Sequence, residues 1–319
     1  MNTLRLRYML LVILVSVLTI VSANGCQSEY NAIELVPERA NLVATLEINK
    51  IVNDEDIRDT YDNMKKEPGQ PQTINELLGE IFEGSGMDIS EFYRVMMFID
   101  ASDMERKDYV GFIVEGNFDE NQFIDYIEEN TGEKLSISEY KSHNLYVNEK
   151  DDATFAILSD KTLLVGSPQA VKDSIDVVEG DGKPADNQLI DTYKQYDNSL
   201  VALAYKVSVD PQDALPQDII DDMPFSMSAF YGMDMIGFSL DKEKKLINAK
   251  IEFHLQDNDS AQDVYDTING MISMFKGLID EPEVKEVLGN IEISISKSWV
   301  TIDLEIGLSQ IEDMIKSFQ

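Results

Sequence analysis

The sequence predicts an α+β protein: two diverged repeats of mostly antiparallel sheet with helices packed on one face. Three observations carry that expectation. Short runs of alternating apolar residues come in adjacent pairs, as antiparallel strands do. An amphipathic run of helical period follows each pair. The same order of elements then occurs twice in the 319 residues, over 35–182 and again over 190–319.

Taken in order, Leu35-Val36-Pro37-Glu38-Arg39-Ala40 leads into a strand over Asn41–Lys50, with Leu42, Ala44, Leu46 and Ile48 on one face. Ser199-Leu200-Val201-Ala202-Leu203 repeats the pattern of Asn41–Thr45. Met96–Asp100 and Ile236–Asp241 each read as a strand ending in an acidic turn, paired with Tyr109–Glu115 and Leu246–Gln256. The helices that follow bury Phe118, Phe123, Ile127 and Tyr126 in one copy and Val264, Ile268, Ile272 and Phe275 in the other. Each repeat closes with a strand ending in Gly and a Ser beside a helix start. These are Leu163–Gly166 with Ser167 before the helix Ala170–Val178, and Leu304–Gly307 with Ser309 before Ile311–Phe318. The stretch 179–186, rich in Gly, Asp and Pro, is the joint between repeats.

Ahead of this body lies a segment of a different kind. Arg5 and Arg7 precede a continuous apolar run from Tyr8 to Val21, and Ser22-Ala23-Asn24-Gly25 leads to Cys26, the single cysteine of the chain. Positive start, apolar middle and small-residue end are the three parts of a secretory signal peptide, here residues 1–25. As a helix the run would extend about 24 Å against a hydrocarbon core of roughly 30 Å, short for a stable span. Ala23, Asn24 and Gly25 are the signal-peptidase recognition residues, and Cys26 the lipid acceptor. This segment resembles the lipobox of prokaryotic lipoproteins, with Ala23 standing where that motif usually has Leu. The resemblance implies a diacylglycerol thioether on Cys26, a short tether over 26–34 and a position on the extracytoplasmic face of the cell membrane.

With 60 acidic against 26 basic side chains, the net charge is −34, and removal of the signal takes two more positive charges away. A field of that sign repels nucleic acid and anionic headgroups and favours cations and basic partners. The membrane is therefore expected as a partner only through covalent lipid, beside an envelope protein or a small ligand. A saline exterior is the competing explanation of the acidity.

The opening Val36-Pro37-Glu38-Arg39-Ala40-Asn41-Leu42-Val43-Ala44 and the turn Val165-Gly166-Ser167-Pro168 are similar to a domain-of-unknown-function family of prokaryotic exported proteins. That likeness implies a fold and an address, with no catalytic or binding residue to carry over.

Catalytic patterns are thin. Ser138–Lys141 and Ser294–Lys297 have the Ser-x-x-Lys spacing, but both fall in strand or hairpin patterns, not on the helix that the chemistry uses. His143 reads as a turn residue, and His254, alternating with Phe253 and Leu255, as solvent-facing. With two histidines and one thiol, a zinc or copper site is not expected, no phosphate-cradling glycine loop occurs, and no cofactor is expected. Adjacent carboxylates such as Asp151-Asp152 and Asp221-Asp222 identify no glycosidase pair in so acidic a chain. The best calcium pattern is Asp257, Asp259 and Asp263, at a point where a helix start also wants acidic residues and a cap; capping is the favoured reading. Met223, Phe225, Met227, Phe230, Tyr231, Met233 and Met235 form an apolar segment fit for a core or an adaptable binding surface, with core favoured. The function expected is a lipid-anchored binding or scaffold protein without catalysis. The alternatives are a receptor for a small solute or lipid, and a hydrolase using carboxylates alone.

Overall fold

Alternation and glycine place the strands, and caps place the helices, in a computed structural model that describes residues 30–63, 71–73, 76, 92–103, 109–148, 153–208, 227–279 and 281–311. Ala23, Asn24, Gly25, Cys26, Met223 and Phe225 lie outside the described residues. The chain divides into two compact units, Met1–Ala40 with Ala44–Asp186, and Asn41–Val43 with Asn187–Gln319. The protein is α+β, with antiparallel strand pairing throughout the registers given below.

In the first unit the strands run in the order β1 (Leu42–Leu46), β2 (Arg94–Ile99), β3 (Val110–Glu115), β7 (Thr162–Gly166), β6 (Ala153–Ser159), β5 (His143–Asn148), β4 (Ser136–Tyr140). β2–β3, β3–β7, β7–β6, β6–β5 and β5–β4 are antiparallel. One face packs Phe112, Val114, Phe155 and Leu163 against α1 (Ile48–Asn53), which α2 (Glu55–Asn63) follows in the chain, and against α3 (Glu120–Thr131), through Ile48, Val52 and Phe123. α3 starts at Asp119, whose carboxylate accepts from the Gln122 N–H at 3.0 Å, and ends at Gly132 with φ 68°. By alternation the opposite face carries Met96, Phe98, Ile113 and Leu164, all buried. There α4 (Pro168–Val178) packs through Ala170, Val171 and Ile175. Gly111 sits opposite Phe98 in the ladder because the ring covers its Cα; an added Cβ would lie 2.1 Å from Phe98 Cζ.

The second unit has the order β8 (Val201–Lys206), β9 (Met233–Glu243), β10 (Leu246–Leu255), β12 (Trp299–Gly307), β11 (Ile291–Ser296). Its registers are antiparallel. One face holds Phe253, Leu255, Val300 and Ile302 beneath α6 (Asn258–Leu278), which contributes Ala261, Val264 and Ile268. α7 (Pro282–Gly289) links α6 to β11, and α5 (Asn187–Lys194) packs on β8 and β9. In both units a helix follows the third strand, and the last strand returns to lie beside that third strand, β7 on β3 and β12 on β10.

Several expectations are corrected. The strand read over Asn41–Lys50 stops at Leu46, and Ile48 begins α1; Leu42, Ala44 and Leu46 share a partly buried face, Leu46 against the core of Ile48 and Val52, while Val43 and Thr45 on the other face are buried. Phe275 is 38% exposed instead of buried. At the second closing turn the Gly307 N–H donates to Gln310 Oε1 at 2.8 Å, and residues 312–318 of the helix read over Ile311–Phe318 lie outside the described residues. His143 is the first residue of β5 and not a turn residue; the turn is Lys141-Ser142, with φ 47° and 68° as a two-residue hairpin demands.

Candidate functional site

The free polar surface of the second unit is written by strand register. β9, β10, β12 and β11 align four rows of side chains on the face opposite α6. The first row is Met235, His254, Trp299 and Ser296; the second is Gly237, Glu252, Thr301 and Ser294. The third is Ser239, Lys250, Asp303 and Glu292, and the fourth is Asp241, Asn248 and Glu305. In the first two rows His254 and Glu252 are taken up by contacts of their own, while the last two rows border a cleft of about 620 Å³. Gly289 and Asn290, at the end of α7, complete its rim, and the Asn290 amide donates to Glu305 O at 3.1 Å.

In the first row, His254 Nδ1 lies 2.5 Å from Asp234 and Nε2 lies 3.0 Å from the Ser298 hydroxyl, with the Trp299 ring 4.8 Å away. The expectation of a solvent-facing His254 is thereby corrected: it does face away from Phe253, but into a polar cluster. In the second row, the Glu252 carboxylate accepts from Thr301 Oγ1 at 2.9 Å and from the Tyr196 hydroxyl. Tyr196 reaches it by lying flat on Gly237, where a Cβ would stand 2.6 Å from its ring. Burial, with a smaller push from the Asp303 charge, holds the Glu252 carboxyl above its ordinary value.

The cleft rows have one cation, Lys250, against four carboxylates, Asp241, Glu292, Asp303 and Glu305, among the described residues lining it. Lys250 Nζ is 3.9 Å from Glu252. Asp241 is engaged, accepting from Ser199 Oγ at 2.7 Å and from Leu200 N–H at 3.2 Å, which fixes the start of β8 against β9. Such a wall suits a ligand carrying more than one positive charge with hydrogen-bond donors.

The residues singled out in sequence lie elsewhere. Met235 is fully buried, Phe230 packs edge-on to Phe253 at 6.2 Å, and Met233 and Tyr231 are half-buried, Met233 against the α6 core; Met227 opens the short turn Met227–Phe230. Asp257 caps α6, accepting from Ser260 N–H at 2.8 Å, a bond that lowers its pKa; Asp259 and Asp263 are exposed on the first turns of α6. No three His, Cys, Asp or Glu side chains converge as a metal site among the described residues. Lys141, partner of Ser138 in the Ser-x-x-Lys spacing, is instead bound to Asp176 at 2.6 Å and Asp181 at 2.8 Å. The cleft residues went unnoticed in sequence because their signal is spread over four strands. Lys250-Ile251-Glu252 and Asp303-Leu304-Glu305 each show the alternation, but only register brings them into rows.

The fold defines the chain as an α+β protein built on antiparallel sheet. No family model matches it, and no curated protein does. Among solved structures it is similar to TP0453, in crystal form III (TM-score 0.51, 10% identity, 91% of this chain and 100% of that one) and crystal form I (TM-score 0.50, 12% identity, 91% and 98%). At that identity the likeness is one of fold.

Proposed function

We propose that the mature chain is a lipid-anchored binding protein on the extracytoplasmic face of the membrane, without a catalytic step of its own, and that its second unit takes a polycationic ligand. The observation that carries the binding proposal is the cleft of about 620 Å³ walled by Glu292, Asp303 and Glu305 around the single Lys250. A lipid receptor fits this polar wall poorly, so the receptor alternative narrows to a charged ligand. A carboxylate hydrolase needs a proton-holding acid at the reacting bond. Glu252 has the raised pKa, yet it is clamped by Tyr196 and Thr301 and does not line the cleft. The shared strand order of the two units favours a diverged internal duplication as their origin.

Tetralysine is the test ligand, titrated calorimetrically into the full mature chain at low salt. Binding is expected, weakening at least fivefold in Asp303→Asn and Glu292→Gln and falling as salt rises. Heats indifferent to both substitutions would remove the cleft from consideration. The anchor rests on Arg5, Arg7, the apolar run and the single Cys26 after Ala23-Asn24-Gly25. Cys26→Ser is expected to accumulate as unprocessed precursor; normal maturation and detergent-phase partitioning of that variant would overturn the lipid.

A further inference from the structure

The cleft is bordered by β11, and β11 is the last strand of its sheet. It runs six residues, Ile291–Ser296, in unbroken register with β12, and no strand lies on its other side among the described residues. Edge strands ordinarily carry Pro, Lys, a bulge or a twist that discourages further pairing. Ile291-Glu292-Ile293-Ser294-Ile295-Ser296 has no Pro, no Lys and no bulge.

Its hydrogen-bonding geometry follows from the hairpin. Ser296 and Trp299 close a two-residue turn, Lys297-Ser298, with Lys297 at φ 56°. The closing pair of such a turn exchanges both backbone hydrogen bonds, and every second pair along the ladder does the same. Ser296, Ser294 and Glu292 therefore bond to β12, while Ile291, Ile293 and Ile295 turn N–H and C=O outward. Side chains alternate independently: Glu292, Ser294 and Ser296 stand on the cleft face, and Ile293 and Ile295 on the α6 face. Ile293 packs in the α6 core, while Ile295 is 37% exposed.

We infer that β11 accepts an extended segment of a basic partner protein as an additional strand, the segment alternating basic and apolar side chains. This rests on the cleft reading above and names the form of its ligand. A strand laid along β11 places alternate side chains beside Glu292 on the cleft wall and the others beside Ile293 and Ile295. Charge selects the partner. The cleft face beside β11 offers Glu292, Asp303 and Glu305, and the whole chain carries −34, so a second copy of this chain is repelled where a basic segment is drawn in.

The probe is a dodecapeptide of alternating Lys and Val, added to the full mature chain. Binding by fluorescence anisotropy is expected at least tenfold tighter than for an all-Lys peptide of equal charge, with slowed hydrogen exchange at the Ile293 and Ile295 amides. Ile295→Pro deletes an outward N–H without touching a bond to β12 and is expected to weaken the peptide at least tenfold. Because proline can disturb the strand, exchange in the unmodified chain is the independent readout. Tetralysine binding that persists alongside unprotected Ile293 and Ile295 amides would leave the cleft and refute strand addition. Failure of both peptides would refute the two together. Dimerisation of the unliganded chain in sedimentation, with protection of the same amides, would assign the edge to a second copy and overturn the basic partner.

Discussion

Glu252 shows how one residue's chemistry is set by its row. Tyr196, Thr301 and Lys250 surround its carboxylate, yet burial dominates and the charged form is disfavoured. Its folded pKa lies above the ordinary 4.5, so the folded chain holds its proton more tightly than the unfolded one. Stability from this group is then greatest at acid pH and is lost as pH rises through the folded value. Glu252→Gln removes the buried charge, keeps an acceptor for one of the Tyr196 and Thr301 hydroxyls, and turns an amide N–H toward the other, which can accept it. It is expected to raise the midpoint of thermal unfolding at pH 7, with the advantage vanishing below about pH 4.5. Equal stability of the two chains at pH 7 would show that Lys250 already neutralises Glu252. Sequence placed His254 on the face opposite Phe253 correctly, because period two is a local property. It could not place Asp234, Tyr196 or Ser298 beside them, since those contacts arise only when distant segments meet.

At the scale of elements, caps were legible and ends were not. Ser167 before Pro168 forecasts the start of α4, and its hydroxyl accepts from Ala170 N–H at 3.4 Å. That bond is long, so Ser167→Ala is expected to cost about 0.5–1 kcal/mol, the low side of cap losses, read as a lower urea midpoint at unchanged slope. A loss above about 2 kcal/mol would mean the hydroxyl has another role. The end of β1 misled because Leu46 and Ile48 satisfy a strand period while Ile48 and Val52 satisfy a helical one. The decision falls to tertiary contacts: Asn49 N–H bonds to Tyr93 O at 3.3 Å, and Glu47 is held by Arg94. At the second Gly-ended strand the Gln310 side chain accepts from the Gly307 N–H, a contact that the letters of Gly307-Leu308-Ser309 do not announce.

For the whole molecule, composition and the order of elements gave the α+β class, since paired strands and amphipathic helices are written locally. The cleft was not legible, being a product of register across β9, β10, β12 and β11. An excess of −34 implies self-repulsion reaching roughly 30 Å at 0.01 M salt and roughly 3 Å at 1 M. The thermal midpoint is therefore expected to climb steadily as NaCl is raised across that range. A flat response would mean that the carboxylates are already compensated.

The return of the last strand to the third also governs timing during synthesis. β3 meets β7 through Gly111 and Gly166, 166 − 111 = 55 positions apart, and β10 meets β12 through Leu246 and Gly307, 307 − 246 = 61 positions apart. A nascent chain that has emerged only as far as β6 holds β3, whose four central residues are apolar or glycine, with one side bare. Such a ribbon is slow to close and prone to bind other chains. Until Thr162–Gly166 arrives, the free side of β3 is where the growing chain is open to misassembly.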